Sequence, residues 1–226
     1  MVARVSTFGF SNTLQKGMLR VQNQYAQVNL QINSGFKSES YMGLASETQI
    51  LTNMKSNMER YKVQIETGER VSTRLKSMYN SMETMLGLAD QFVKKLAQAM
   101  GGNLSDPQDT LNNAISIQEN FAAQVNVQVA GRYLFAGSMI DTLPVDLSDP
   151  AIIPQTTPSV ADTAYYKGDG VILNGQIADN HVMNYGVTGD FGGFEKMFRA
   201  LNLVINNPAD IPSIQEAHTL VTQAIT

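Results

Sequence analysis

The sequence predicts a mainly α-helical protein, a long helical coiled-coil rod that carries a small strand-rich outer domain. One observation is an uninterrupted heptad pattern of apolar residues over positions 51–96. Another is the placement of proline, which is absent from residues 44–99 and occurs four times within residues 144–158. Helical spacing returns after residue 193. Together they favour a helical body interrupted by one segment of strands and loops.

The long helix is the clearest element. Its apolar residues recur at alternating steps of three and four, which average to the heptad that keeps one face toward a partner helix. At about 1.5 Å per residue the helix would be roughly 80 Å long, which indicates assembly more than catalysis. We expect a rod core on this helix formed by Leu51, Met54, Met58, Tyr61, Ile65, Leu75, Met78, Met82, Met85, Phe92 and Leu96.

The N-terminal helix has a strict heptad of its own. Ser11 or Asn12 could cap its start, and Gly35 is suited to its end. The positions between the apolar residues are rich in Gln and Asn and carry few charges, which favours packing among identical copies. An amphipathic helix folded onto its own chain remains an alternative. The predicted polymer interface is Leu14, Met18, Val21, Tyr25, Val28 and Ile32.

A third helix is predicted to start at Asp106-Pro107 and to end at Gly131. Its contributions to the rod core are Leu111, Ile115, Val125 and Val129. The connection from the long helix is short enough for an antiparallel helical hairpin.

Strands and loops are expected from Arg132, with a hairpin over residues 171–177 turning at Asn174-Gly175. Helical spacing resumes at Phe194 and again at Ser213. The predicted organisation is an N-terminal polymerisation helix, a helical rod, a strand-rich outer domain and return helices of the rod, over residues 1–35, 36–131, 132–192 and 193–226. We expect further C-terminal helices after Thr226, because the last apolar face ends open.

Catalytic and ligand motifs are weak. The chain has no Cys, which excludes thiol chemistry, and neither His181 nor His218 lies in a metal-ligand pattern. The glycine-rich segments 168–170 and 189–193 fit turns better than phosphate loops. We therefore expect no enzyme activity, no cofactor and no metal site.

The distribution of charge and the hydropathy of the chain indicate which classes of partner are not expected. Residues 1–100 carry 12 Lys and Arg against 7 Asp and Glu, whereas the remainder carries 4 against 13. There is no dense basic cluster, so nucleic acid is not an expected partner. No stretch is apolar enough for a membrane span, and the start lacks the apolar core of a cleavable secretory signal.

Three features together resemble the flagellin family. The first helix ends in Gln31-Ile32-Asn33-Ser34-Gly35-Phe36-Lys37, similar to the family's Ser/Thr-Gly-x-Lys/Arg turn, and the long heptad helix follows. The third feature is the family motif Gly131, Arg132, Tyr133, Leu134, Phe135, Ala136 and Gly137. Asp141-Thr142-x-Pro144 follows this motif. Together the motif and this segment are most similar in sequence to the hook–filament junction members of the family. Residues 38–43 depart from the acidic stretch usual after the turn.

The resemblance implies a structural subunit of the bacterial flagellum that joins hook to filament by helical self-assembly. Implied partners are copies of itself, neighbouring hook-associated protein and flagellin subunits, and an export chaperone. It also implies type III export and an extracellular location. Two alternatives stay open: flagellin, the filament subunit itself, and a coiled-coil adaptor or secretion-needle component that binds partner helices.

Overall fold

The computed structural model of the chain describes residues 7–38, 41–42, 47–101, 106–149, 152 and 154–226. The chain divides into two compact units, Met1–Tyr61 and Lys62–Thr226. The elements in chain order are α1 (Thr7–Ser34), α2 (Thr48–Met100), α3 (Pro107–Val125), β1 (Gln128–Val129), β2 (Arg132–Tyr133), β3 (Leu173–Ala178), β4 (His181–Tyr185), α4 (Gly192–Asn206) and α5 (Ile211–Ile225). The predicted class, mainly α with a small β region, is confirmed.

The first helix extends further toward the N-terminus than predicted. α1 is already helical at Thr7, so neither Ser11 nor Asn12 caps it. Its end is as expected, because Gly35 adopts φ +70° and its N–H donates to the Gln31 carbonyl at 2.9 Å. Of residues 38–43, which depart from the family pattern, positions 39, 40 and 43 lie outside the described residues.

In the first unit, polar contacts join the chain after α1 to the start of α2. The Lys37 ammonium lies 2.6 Å from the Glu47 carboxylate, and the Thr48 hydroxyl donates to the Tyr41 carbonyl at 2.8 Å. Lys55 donates to the Tyr41 hydroxyl at 3.0 Å. These groups are exposed, so each contact contributes at most about 1 kcal/mol.

The third helix starts as predicted and ends earlier. The Asp106 carboxylate accepts from the Gln108 N–H at 3.1 Å, which caps the N-terminus. The helix stops at Val125, and Val129 pairs with Arg132 in the β1–β2 hairpin. Ala130 and Gly131 at its turn both have positive φ, 53° and 74°, a geometry that a continuing helix cannot contain. Val129 is therefore a strand residue and the predicted end at Gly131 is wrong.

The second hairpin occurs where expected but turns elsewhere. β3 and β4 pair antiparallel, with Ala178 opposite His181 and Asn180 at φ 57° in the turn. Gly175 lies inside β3 and is buried. A Cβ on it would lie 2.9 Å from the Val71 Cγ2 atom, so glycine here allows the hairpin to approach α2 rather than forming a turn.

The core of the second unit forms where α4 packs against α3 and α5. The Phe121 ring on α3 makes edge contacts with Phe194 and Phe198 on α4, at centroid distances of 5.9 and 5.2 Å. α5 begins at Ile211, two residues before the predicted Ser213, and the Asp210 carboxylate accepts from the Ser213 N–H at 3.0 Å. Both return helices were predicted from their apolar spacing.

The predicted rod core is buried only in part. Met78, Met85, Phe92, Leu96 and Val125 are buried in one cluster with α4 and α5. Corrections are needed elsewhere in this single chain: Leu51, Leu75 and Leu111 are half-buried, and Met54, Met58, Tyr61, Ile65, Met82 and Ile115 are exposed.

Packing partners explain these corrections. α4 covers α3 on the face that carries Ile117 and Phe121, which turns Ile115 outward. On α2, Val71 and Ser81 are buried in place of the neighbouring heptad positions. A heptad pattern cannot reveal which neighbouring element will cover a given face.

Candidate assembly interface

The assembly seam of α1, Leu14, Met18, Val21, Tyr25, Val28 and Ile32, is open to solvent. Each of these side chains is between 49% and 72% exposed, and every residue from Phe8 to Ser34 is classed as exposed. Monomeric proteins rarely leave contiguous apolar surfaces of this kind uncovered, so such a surface marks an interaction site.

Charge on α1 is sparse and of one sign. Residues 7–34 contain Lys16 and Arg20 but no acidic residue, and nine of these 28 residues are Asn or Gln. Few charges would therefore have to be desolvated if copies of α1 came together. The composition is compatible with close packing between helices.

Sequence reasoning missed one residue of this surface. Phe10 lies four residues before Leu14 and lines a shallow hollow with Leu14, Gly17, Met18 and Val21. A signal was present, since a residue four positions before Leu14 lies on the same helix face, although the alternation of the heptad places the preceding position at Ser11. It was lost because Ser11 and Asn12 were interpreted as the helix start.

A second exposed surface, the α2 stripe, consists of Met54, Met58 and Tyr61. Its residues keep the heptad spacing of the buried part of the same helix. Their exposure in the single chain makes them candidates for contacts with other subunits. The structure thus divides the predicted rod core into a packed set and an uncovered set.

The family motif has an internal, structural role in its second half. Leu134, Phe135, Ala136 and Gly137 are buried, whereas Gly131 and Arg132 are exposed. The Phe135 carbonyl accepts from the Gly189 N–H at 2.8 Å and from the Tyr166 hydroxyl at 3.0 Å. The motif therefore anchors the loops that follow it to the helical core.

Gly137 is the most constrained position of the motif. It adopts φ +69°, and a Cβ there would lie 2.1 Å from the Asp169 Oδ1 atom. Asp169 in turn accepts from the Ser138 N–H at 2.7 Å and from the Ser138 hydroxyl, and these hydrogen bonds hold the pKa of its carboxyl below the usual value. The glycine-rich segment 168–170 is thus a structural partner of the motif.

Two neighbouring tyrosines complete the packing around the motif. The Tyr165 hydroxyl donates to the Gly189 carbonyl at 2.9 Å, and burial raises the pKa of this phenol far above its usual value. Burial, with a contribution from Asp190, raises the pKa of Tyr166 to about 12. Both phenols are neutral donors at physiological pH, which suits a structural role.

The described residues contain neither a candidate membrane-spanning helix nor a candidate metal site. None of the helices in that part of the chain is both long and apolar enough to cross a membrane. Nor do the described residues contain a group of three or more His, Asp or Glu side chains able to hold a metal ion.

Comparison with known proteins identifies the family. Residues 5–139, more than half of the chain, match the family described as the bacterial flagellin N-terminal helical region. The chain belongs to this family. The matched region contains α1, α2, α3 and the whole Gly131–Gly137 motif, and so includes both exposed surfaces.

Solved structures agree with this fold assignment. A "putative flagellar hook-associated protein" from Vibrio parahaemolyticus superposes with a TM-score of 0.57 at 17% identity, over 84% of this chain and 86% of that one. FlgL from Bacillus cereus superposes with a TM-score of 0.57 at 16% identity, over 80% of this chain and 83% of that one. No curated protein sequence matches.

Membership in the flagellin family makes this chain a structural, non-enzymatic subunit of the bacterial flagellum that assembles with other flagellar components. The exposed apolar surfaces of this flagellar subunit are therefore its candidate functional site.

Proposed function

We propose that this flagellar subunit joins hook to filament by helical self-assembly outside the cell. The observation that carries the proposal is the assembly seam of α1, six apolar side chains in strict heptad spacing that are exposed in the single chain. Burying one such side chain completely contributes about 1.5–3 kcal/mol. Burying six of them would offset much of the free-energy cost of association between subunits.

The proposed geometry of assembly follows from the two surfaces. The seam of one copy would pack against seams of neighbouring copies, and the α2 stripe would add further contacts. Where such contacts join two different surfaces of neighbouring copies and the rotation between copies does not close, they generate open helical arrays rather than closed dimers. The polymer interface predicted from the sequence is therefore retained as a proposal, with Phe10 added.

A junction role is favoured over that of the filament subunit by the small region between the motif and α4. Its described residues form the β3–β4 hairpin, one isolated antiparallel bridge between Val145 and Tyr166, and loops. The Vibrio structure and the Bacillus FlgL structure resemble this chain over most of its length, and the first is described as hook-associated. Flagellin itself remains the alternative, with neighbouring hook-associated protein and flagellin subunits as the expected axial partners of a junction subunit.

Export by the flagellar type III route, with a dedicated chaperone, is part of the proposal. A helix whose residues from Phe8 to Ser34 are all exposed loses little packing when it is bound by a chaperone or unfolded for transport. The coiled-coil adaptor is the competing function of another class. It predicts binding to partner helices without incorporation at the hook.

The decisive experiment adds purified protein to isolated hooks and follows incorporation by electron microscopy. The double variant Val21→Asp/Val28→Asp places two charges on the seam, and burial without partners should abolish incorporation. The matched control Asn23→Asp/Gln27→Asp adds the same charge on the opposite side of α1 and should incorporate normally. Deleting residues 1–33 should leave a folded, soluble chain that no longer adds to hooks.

Three results would contradict the proposal. Normal incorporation of Val21→Asp/Val28→Asp would place the contact elsewhere. Long filaments formed by the wild-type protein alone would favour flagellin. Filaments that stay attached to hooks in cells lacking this protein would exclude the junction role.

A further inference from the structure

We propose that Met18, Met54 and Met58 are oxidation sites whose conversion to sulfoxide blocks assembly while leaving the fold intact. The inference rests on the proposed function, because it assumes that the assembly seam and the α2 stripe become subunit contacts. It goes beyond that function by assigning a chemical modification and a form of regulation. The modifying agent is a two-electron oxidant such as hydrogen peroxide.

Six of the twelve methionines form an exposed set and a buried set. Met18 lies on the assembly seam, and Met54 and Met58 lie on the α2 stripe, all three exposed to solvent. Met78, Met85 and Met197 are buried in the core of the second unit. Since oxidation follows solvent access to sulfur, the exposed set should react first.

The reaction is an oxygen transfer. The thioether sulfur attacks one oxygen of the peroxide, the O–O bond breaks, and the products are one sulfoxide and one water. Sulfur is oxidised by two electrons and peroxide is reduced by two. The sulfoxide carries a polar S=O acceptor where the thioether was apolar.

This change should affect assembly, because the exposed methionines lie on the two surfaces proposed to form subunit contacts. Met54 and Met58 are four residues apart on α2 and so lie next to each other on one face. A sulfoxide at such a position would need a hydrogen-bond donor once covered. A packed apolar contact supplies none, so the oxidised surface should pack poorly.

Two further methionines serve as internal controls. Met42 and Met139 are exposed but belong to neither the assembly seam nor the α2 stripe. They should oxidise readily without affecting assembly. A general effect of peroxide on the protein can thereby be separated from an effect on the two surfaces.

The experiment treats the whole chain with limiting hydrogen peroxide and maps sulfoxide by peptide mass spectrometry. Met18, Met54 and Met58 should oxidise at least tenfold faster than Met78, Met85 and Met197. Circular dichroism and the thermal midpoint should not change at that stage. Incorporation into isolated hooks should fall at least tenfold and should recover after treatment with methionine sulfoxide reductases.

Substitutions test the assignment to these residues. Met18→Leu/Met54→Leu/Met58→Leu removes the three oxidisable sulfurs at similar side-chain volume, so its incorporation after peroxide should equal its own incorporation before treatment, whereas Met42→Leu/Met139→Leu should lose incorporation on treatment as the wild type does. Met54→Gln/Met58→Gln places a polar amide near the sulfoxide position and should impair assembly without oxidant.

The possible failures can be told apart. If untreated wild-type protein does not add to hooks, the proposed function fails. If it adds normally when Met18, Met54 and Met58 are fully oxidised, or if the leucine variant stays as sensitive as wild type, the oxidation proposal is overturned and the proposed function stands. Equal oxidation rates for exposed and buried methionines would also overturn it.

Discussion

The two halves of α2 carry the same heptad spacing in opposite surroundings. In the C-terminal half, Met85, Phe92 and Leu96 are buried in a cluster with α3, α4 and α5. In the N-terminal half, Met54, Met58 and Tyr61 point their apolar side chains into solvent. Apolar periodicity identifies the face of a helix that can be buried, but burial itself requires a partner element. Where the described part of the chain supplies none, the same pattern stays exposed, and we propose it as a surface for assembly.

The largest expected difference between these regions is in local stability. Amides of α1 around Gln22–Leu30 should exchange with solvent at least about 1,000-fold faster than those around Phe92–Leu96, because opening α1 uncovers no buried side chain. Hydrogen exchange followed by mass spectrometry on the dilute protein measures this. Slow exchange at Gln22–Leu30 would mean that α1 is already packed in the single subunit.

Matched truncations on α2 should differ by several kcal/mol. Phe92, which is 1% exposed, should lose about 3–5 kcal/mol of unfolding free energy on substitution by Ala, because a large cavity is left in the core. Met58, which is 69% exposed, should change by less than about 0.5 kcal/mol. Urea unfolding gives both values. Equal losses would show that the N-terminal half of α2 is covered in solution.

Two glycines of the family motif allow a comparison between backbone that packs against another segment and backbone that does not. Gly131 and Gly137 both have positive φ, but only the Cβ of Gly137→Ala would collide with Asp169. We expect Gly131→Ala to cost about 1 kcal/mol from backbone strain alone. Gly137→Ala should cost at least about 2 kcal/mol more, because strain and overlap add. If urea unfolding gave similar losses of unfolding free energy for the two variants, the loop around Asp169 would move easily to make room for the added methyl group.

The smallest expected effect is the acid sensitivity that comes from Asp169. Its pKa is lowered in the folded state by the Ser138 hydrogen bonds, so its stabilisation is present above the unfolded pKa and is lost as the pH falls through the folded value. Asp169→Asn should therefore flatten the decline of the thermal midpoint below about pH 4. Ser138→Ala should give an intermediate slope. An unchanged slope in Asp169→Asn would assign the acid transition to other carboxylates.

Local chemistry determined much of this protein before any packing was known. The ends of helices at Gly35 and Asp106, the heptads of α1 and α2, and the return helices are encoded in short stretches of sequence, because capping and periodicity act over one or two turns. The apolar seam of α1 also belongs to this class. The family motif of residues 131–137 was identified from the order of its residues alone.

Tertiary structure decided the rest. Gly175 appeared to belong to a turn but instead lets β3 approach Val71 on α2. Gly131 appeared to end a helix but lies in the turn of a hairpin, and Phe121 rather than Ile115 faces α4. For Gly175 and Phe121 the outcome depends on an element distant in sequence, whereas Gly131 turns between two neighbouring strands, Gln128–Val129 and Arg132–Tyr133. A local pattern gives a residue its conformational preference and its apolar character, but the contacts that satisfy them are made by whatever the rest of the chain, or another subunit, brings against it.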